Sequence, residues 1–420
     1  MSDSVVELAA QMIRIPSVTG EEENLSRFLE DYLRRAGVPK VFRDRYRSVI
    51  AVVPGRSRRT LVLDGHLDTV AVSDKAQWRY GPFDGTVAET EDGDRRLYGR
   101  GASDMKGSLA AMITALLRAS GASGRQASRV DSGGGYHGVL PCTVALTAAA
   151  SEETYEGYCL GKALDLLREW GYDPEAVVIG EASSLNLMYG QRGRAEIRIT
   201  AHGSSAHSAH PDAGVNAVEN MGRLLSRFEE IDTPEDADLG RGIATVTDII
   251  SEPYPGASVI PHRCDLTIDR RTVSGETEKG VIAAYSELIT RISETYPDLI
   301  ARAEIVTRPL STADGEEEPV RQFHPAWKLE KNHHVVEAAL SGLESAGIRA
   351  ELDTYDFCSN GSRSAGIEGI PTIGFGPSRE ELAHIRDEYI EVSELERAVE
   401  GYAALIESLG EYVVTSGVER

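Results

Sequence analysis

Histidines and carboxylates recur in this chain where apolar runs stop. The first case is Leu63-Asp64-Gly65-His66-Leu67-Asp68-Thr69-Val70, which continues the apolar run that opens at Thr60. In extended backbone, residues i and i+2 face the same way, so Asp68 could accept a hydrogen bond from His66 and fix its tautomer. Metal-binding histidines commonly have such a partner; a surface histidine beside a turn aspartate is the alternative. Asp104 lies in Gly99-Arg100-Gly101-Ala102-Ser103-Asp104-Met105-Lys106-Gly107, where a loop meets a helix. It could cap that helix, bind a cation, or do both. Glu152 and Glu153 follow the apolar run from Val144 to Ala150. Two adjacent carboxylates at a strand end are costly unless cations or solvent compensate them. Neighbouring side chains diverge, so one could bind metal while the other moves a proton; a hydrophilic turn would read the same. Glu181 closes Val177-Val178-Ile179-Gly180, and His384 lies just beyond Phe375-Gly376-Pro377. Carboxylates and imidazoles gathered at the strand ends of one domain suit zinc, manganese or cobalt. His207, in Gly203-Ser204-Ser205-Ala206-His207-Ser208, stands in a different segment and reads equally well as an exposed loop histidine.

The elements that must position these groups form an α/β order. An amphipathic helix over 4–14 stops near Pro16. Thr19 and Glu22 have capping-box spacing before a helix whose apolar face is Leu25, Phe28, Leu29, Tyr32 and Leu33. Apolar strands at 49–53, 60–63, 141–150 and 176–180 alternate with helices at 108–119 and 157–170, as a covered, partly parallel sheet requires. Residues 120–138 are rich in Gly, Ser and Arg and read as a surface loop. The pattern changes near Gln191. Alternating strands at 194–200, 243–249, 264–270 and 301–307 and helices at 216–228 and 276–293 predict a small α+β insertion. An acidic stretch at 312–319, TADGEEEP, reads as structureless. The α/β pattern then returns with a helix at 334–346, strands at 350–354 and 371–375, and a helix at 392–410. The expected division is a catalytic domain in two parts, 1–190 and 310–420, around an inserted lid or dimerisation domain, 191–309.

The chain has 420 residues, ample for two domains. Acidic residues number 67 against 44 basic, a formal charge of −23. That field disfavours nucleic acid and anionic membranes as partners. Cys142, Cys159, Cys264 and Cys358 form no CxxC pair and read as thiols of a reducing compartment. There is no signal-peptide pattern at the start and no apolar run near the ~20 residues of a membrane helix, so a cytoplasmic protein is expected.

The motifs GHLDTV, GRGASDMKG, SEE, GEAS and AHIRDEY, in this order and spacing, resemble the di-zinc amidohydrolases and exopeptidases typified by acetylornithine deacetylase and succinyl-diaminopimelate desuccinylase. Carboxypeptidases and aminoacylases share that family. The likeness runs from about Val6 to Tyr412, and GQRGRAEI, IDRR before GET, and IPTIGFGP add to it. Many relatives have proline where this chain has Ala182. The resemblance implies a zinc-exopeptidase-like α/β domain with a mainly parallel sheet between helices, plus the smaller α+β domain. It implies two divalent metals, zinc first and cobalt or manganese as alternatives. His66 would bind one metal with Asp68 in support, Asp104 would bridge, Glu181 would complete the first set, and Glu153 and His384 would hold the second. Glu152 would be the general base for a water held between the metals. His207 would help at the oxyanion, often across a homodimer formed by the inserted domain. Arg271 would grip a substrate carboxylate, with Arg270 and Arg263 near it in sequence. Asn216 would make a polar contact near the oxyanion, and Asn360 and Gly361 would lie in a loop near the substrate. The expected reaction is amide hydrolysis in an N-acyl amino acid or short peptide with a free carboxylate. Hydrolysis of a carbamoyl or other non-peptide C–N bond shares these groups. A non-catalytic metal-binding scaffold would not need a spare base such as Glu152.

Overall fold

The computed structural model describes residues 4–91, 93–121 and 140–415. The expected surface loop at 120–138 therefore lies, beyond Gly121, outside the described residues. A nine-stranded sheet carries the larger domain. Its path runs Lys40–Arg43, Val49–Val53, Thr143–Ala149, Arg59–His66, Asp173–Ile179, Thr372–Gly374, Leu187–Gln191 and Trp327–Lys328, with Leu352–Tyr355 also paired to Leu187–Gln191. The middle strands Thr143–Ala149, Arg59–His66, Asp173–Ile179 and Thr372–Gly374 are parallel to one another. Antiparallel pairs flank them, so the sheet is mixed, with its parallel part in the centre.

Unbroken apolar sequence in the middle strands has a direct cause: both faces are covered. Leu61 and Leu63 pack into a core with the helices Val5–Ile13, Glu23–Arg35, Gly107–Ala119, His334–Ser345 and Val392–Thr415. Val62, between them, points to the other face and packs with Leu160, Leu164 and Leu167 of the helix Tyr158–Glu169. Parallel strands direct their C-terminal ends to one edge of the sheet, where open α/β folds keep their sites.

The inserted domain is an antiparallel sheet in the order Ile243–Glu252, Arg263–Thr272, Gly193–His202 and Ile300–Ile305, with Phe323–His324 also paired to Gly193–His202. The helices Ala217–Leu225 and Glu278–Thr295 share its core. Gly193, where the chain enters this domain, has no room for a side chain. A Cβ there would lie 2.4 Å from the His324 carbonyl oxygen and from the Ala326 nitrogen.

Three local expectations are corrected. The stretch 312–319 is not structureless. It forms the turn and part of the returning strand of a hairpin, Thr307–Ser311 with Glu317–Arg321. Its carboxylates are matched from the larger domain: Arg45 bonds Glu316 at 2.6 Å, and the hydroxyls of Tyr46 and Tyr158 donate to Glu318 at 2.9 and 2.6 Å. The expected second boundary, 309/310, falls inside that hairpin, and the chain rejoins the large sheet at Trp327–Lys328. Thr19 and Glu22 do not form a capping box. The helix begins at Glu23 with no side-chain cap, and both residues turn toward the site instead.

Candidate active site

His66 is the last residue of Arg59–His66, Glu152 opens the short helix Glu152–Tyr155 just after Thr143–Ala149, and Glu181 follows Asp173–Ile179 by two residues. Three adjacent strand ends thus bring them together. Asp104 enters from the helical turn Ala102–Lys106 that leads into Gly107–Ala119, and His384 enters on a loop. His66 Nε2 lies 2.9 Å from Asp104 Oδ1 and 3.6 Å from Glu181 Oε1. His384 Nε2 lies 2.9 Å from Asp104 Oδ2 and 3.0 Å from Glu153 Oε2. The two oxygens of one aspartate therefore face different histidines.

Asp68 does more than orient a ring. Its carboxylate is 3.6 Å from His66 Nδ1, while its backbone carbonyl is closer, at 2.9 Å. A carbonyl only accepts, so Nδ1 carries the hydrogen. The carboxylate instead takes the backbone N–H groups of Glu152 and Glu153, at 2.9 and 3.1 Å, and the Thr19 hydroxyl, at 2.8 Å. Asp68 thereby fixes the backbone from which both glutamates project. Glu22 braces the same turn by accepting from the Ser151 N–H and hydroxyl, each at 3.1 Å. Glu388 does the same for Asp104. It accepts the N–H groups of Ser103 and Asp104, at 2.9 and 3.1 Å, and pairs with buried Arg100 at 2.5 Å.

The electrostatics of this cluster call for added positive charge. Burial, with Glu181 and Glu153 close by, pushes the Glu152 carboxyl well up, against the pull of His66. Burial and Asp104 raise Glu153. Glu181 is pushed up to about 8 by burial, with Asp104 and Glu153 adding to it. Burial opposes charge on Asp104 as well, yet hydrogen bonds from His384 and His66 outweigh it and hold that carboxyl below its usual range. His384 is raised to about 10 by its bonds to Asp104 and Glu153. Donor atoms of His66, Glu152 and Glu181, and of His66, Asp104 and Glu153, fall within 4.8 Å of one another. Imidazole nitrogens and carboxylate oxygens at this density fit divalent cations of the zinc, cobalt or manganese type. Such ions would supply the charge that lets Glu152 ionise.

A cavity of about 390 Å³ opens over this cluster. Asp104, Glu152, Glu153, Glu181 and His384 line it, together with Glu156, Arg194, Arg271, Phe357 and Cys358. Of the three neighbouring arginines, only Arg271 reaches the cavity. Arg270 points to the opposite face of its strand and is buried against Glu276 at 2.5 Å. Arg263 sits at the far end of the same strand, paired with Asp265.

The other expected substrate contacts do not line this cavity. Asn216 caps the helix Ala217–Leu225, accepting from Val218 N–H at 3.0 Å. Asn360 is buried as a strut, donating to Asp64 at 2.9 Å and accepting from Gly157 N–H at 2.6 Å. A Cβ at Gly361 would meet Trp327 Nε1 at 2.7 Å. From that loop it is Phe357 and Cys358 that face the cavity. His207 is exposed, is not among the residues lining the cavity, and is bridged to Val259. Sequence reasoning missed Arg194, Glu156 and Glu388. In the sequence Arg194 carries no assigned role: it is one polar position of an alternating strand, inside the GQRGRAEI motif.

The family model for peptidase family M20/M25/M40 matches residues 62–408, and the chain belongs to this family. It is 30% identical over 397 residues, 94% of this chain and 91% of the other, to the uncharacterized protein YgeY of Escherichia coli (strain K12). It is 34% identical over 239 residues, 54% of this chain and 57% of the other, to a succinyl-diaminopimelate desuccinylase of Methylorubrum extorquens. Among solved structures, the M20 family metallo-carboxypeptidase Sso-CP2 from Sulfolobus solfataricus superposes with a TM-score of 0.72 at 15% identity, covering 98% of this chain and 100% of that one. The protein is a metallohydrolase acting on amide C–N bonds. Among the described residues, no helix is long and apolar enough to cross a membrane.

Proposed function

We propose that this protein hydrolyses the amide of an N-acyl amino acid or short peptide bearing a free carboxylate. The observation that carries this reading is one cavity lined by both the carboxylate–imidazole cluster and Arg271. Two divalent ions, zinc by preference, would be held by His66, Asp104 and Glu181 on one side and by Asp104, Glu153 and His384 on the other. When bound, they polarise the amide carbonyl and lower the pKa of water. Glu152 removes the proton from the attacking water and delivers it to the leaving nitrogen, so the C–N bond breaks as the amine becomes neutral. Arg271 holds the substrate carboxylate through its terminal nitrogens. The test is a panel of N-acyl amino acids, dipeptides and N-carbamoyl amino acids, run with chelated protein reconstituted with zinc, cobalt or manganese. Metal-dependent release of free amino acid from the acyl or peptide substrates is expected. Turnover confined to the carbamoyl compounds would overturn the substrate class.

We also infer a homodimer through the inserted domain. Its edge strand Ile243–Glu252 leaves apolar side chains in solvent: Ile249 and Ile250 are 50% and 51% exposed. A long apolar edge of this kind is a template for pairing with a second copy. In such an assembly His207, outside the lining of its own cavity, would serve the partner's site at the oxyanion. Sedimentation velocity should find a dimer, and Ile249→Lys should yield monomers with reduced turnover. Fully active monomers of the wild-type protein would sink both the dimer and the shared role of His207.

A further inference from the structure

Arg194 and Arg271 are register partners in the antiparallel pair of Gly193–His202 with Arg263–Thr272. Facing residues of adjacent strands lie side by side on one face, so two guanidinium groups stand together in the cavity wall. Asp269, two residues before Arg271 and therefore on the same face, separates them. Its Oδ2 accepts from Arg194 Nε and its Oδ1 from Arg271 Nε, each at 2.8 Å. Among the described residues that is the only side-chain hydrogen bond or ion pair of Arg271, so its terminal nitrogens are available. Arg194 is committed. Its Nη1 donates to Glu156 Oε1 at 2.7 Å. Glu156 is 7% exposed, and its other oxygen lies 3.2 Å from Nε2 of buried His324. It also directly follows the helix Glu152–Tyr155. A continuous charged chain, Glu156–Arg194–Asp269–Arg271, thus runs from the helix bearing Glu152 and Glu153 to the arginine of the inserted domain.

We propose that Arg194 is a positioning residue: anchored on Glu156 and Asp269, it holds Arg271 at a set place relative to Glu152, so the carboxylate grip and the hydrolytic groups move as one unit. The inference rests on the reading of Arg271 as the carboxylate-binding group. Lysine at 194 keeps the charge but loses the planar fork that reaches two carboxylates at once. Glutamine at 156 keeps the shape but removes the anionic anchor. Arg194 acts through Arg271, so its loss should matter only for substrates that Arg271 grips.

The test compares the wild type, Arg194→Lys, Glu156→Gln, Arg271→Lys and the double variant R194K/R271K, all zinc-loaded. The substrates are the best free acid of the panel above and its carboxamide. Arg194→Lys and Glu156→Gln should each raise KM for the free acid by about tenfold or more, the scale of a charge-assisted hydrogen bond. They should leave KM for the carboxamide within about twofold, and R194K should add nothing in the R271K background. Equal losses on both substrates, or additive losses in the double variant, would overturn the positioning role. A second measurement needs no turnover: spin labels at Glu169→Cys and Lys279→Cys, both exposed positions on different domains. The distance distribution should broaden in R194K and in E156Q; an unchanged distribution overturns the interdomain brace. A wild type that cleaves no free acid would overturn the carboxylate reading of Arg271 alone, and the label distances would still decide the brace.

Discussion

Replacing Glu152 with glutamine should leave the fold and the bound metal intact while kcat falls by roughly 10²- to 10⁴-fold, the range ascribed to a positioned general base. The substitution is nearly isosteric, and the backbone at this position is held by Asp68 rather than by the Glu152 side chain. Loss of function would therefore report lost proton transfer and not lost structure. The same experiment separates two roles that geometry alone leaves adjacent. Donor atoms of Glu152, His66 and Glu181 lie within 4.8 Å of one another, close enough for Glu152 to be a ligand. A ligand converted to an amide would release metal, visible as reduced zinc per chain after dialysis; a base converted to an amide would not. Near-normal kcat in E152Q would remove the base role. Reduced zinc content would reassign the residue to the metal.

Much of this site was legible in the sequence because its groups are strand-end residues. Apolar runs reveal where buried strands stop, and a polar residue at the stop is placed at the sheet edge by the chain itself. His66, Glu152, Glu153 and Glu181 are all of this kind. Asp104, in the helical turn Ala102–Lys106, and His384, on a loop, are not strand-end residues, and their grouping with the others rests on residue type and on the resemblance rather than on an apolar run that stops beside them. What the sequence hid are contacts that join distant segments. Thr19 and Glu22 have the spacing of a capping box, a local rule, yet tertiary partners 49 and 129 residues away claim their side chains. Arg100 meets Glu388 across 288 residues. Asn360 and Gly361 lie beside the cavity lining, but Asp64 and Gly157 occupy Asn360 and the Trp327 ring closes over Gly361. The acidic hairpin reads as structureless in the sequence for a related reason. Its charges look self-repelling in sequence, whereas Arg45, Tyr46 and Tyr158 supply their partners from another domain.

Stripping the metals should abolish turnover and also leave a protein that loses stability as pH rises. In the metal-free protein, burial raises the Glu181 carboxyl from 4.5 to about 8 and moves Glu152 and Glu153 the same way. Above the unfolded value near 4.5, the unfolded chain releases protons that the folded chain keeps. The stability these groups give is complete below that value and disappears as pH rises through about 8. His384, raised from 6.5 to about 10, adds in the same direction, with its contribution lost between those values. Asp104 is held below its usual range, so its contribution is constant across this window. The melting temperature of chelated protein should therefore fall from pH 5 to pH 8. Zinc requires deprotonated ligands, and at free metal about a thousandfold above Kd each site contributes about 4 kcal/mol. The gap between zinc-loaded and chelated protein should consequently widen over the same range. Comparing that gap, and not either curve alone, removes the part of the self-repulsion from the −23 net charge that both forms share. Differential scanning calorimetry at pH 5, 6, 7 and 8 measures it. A gap that is constant or narrows with rising pH would mean that these carboxylates and His384 are not the groups that meet the metal.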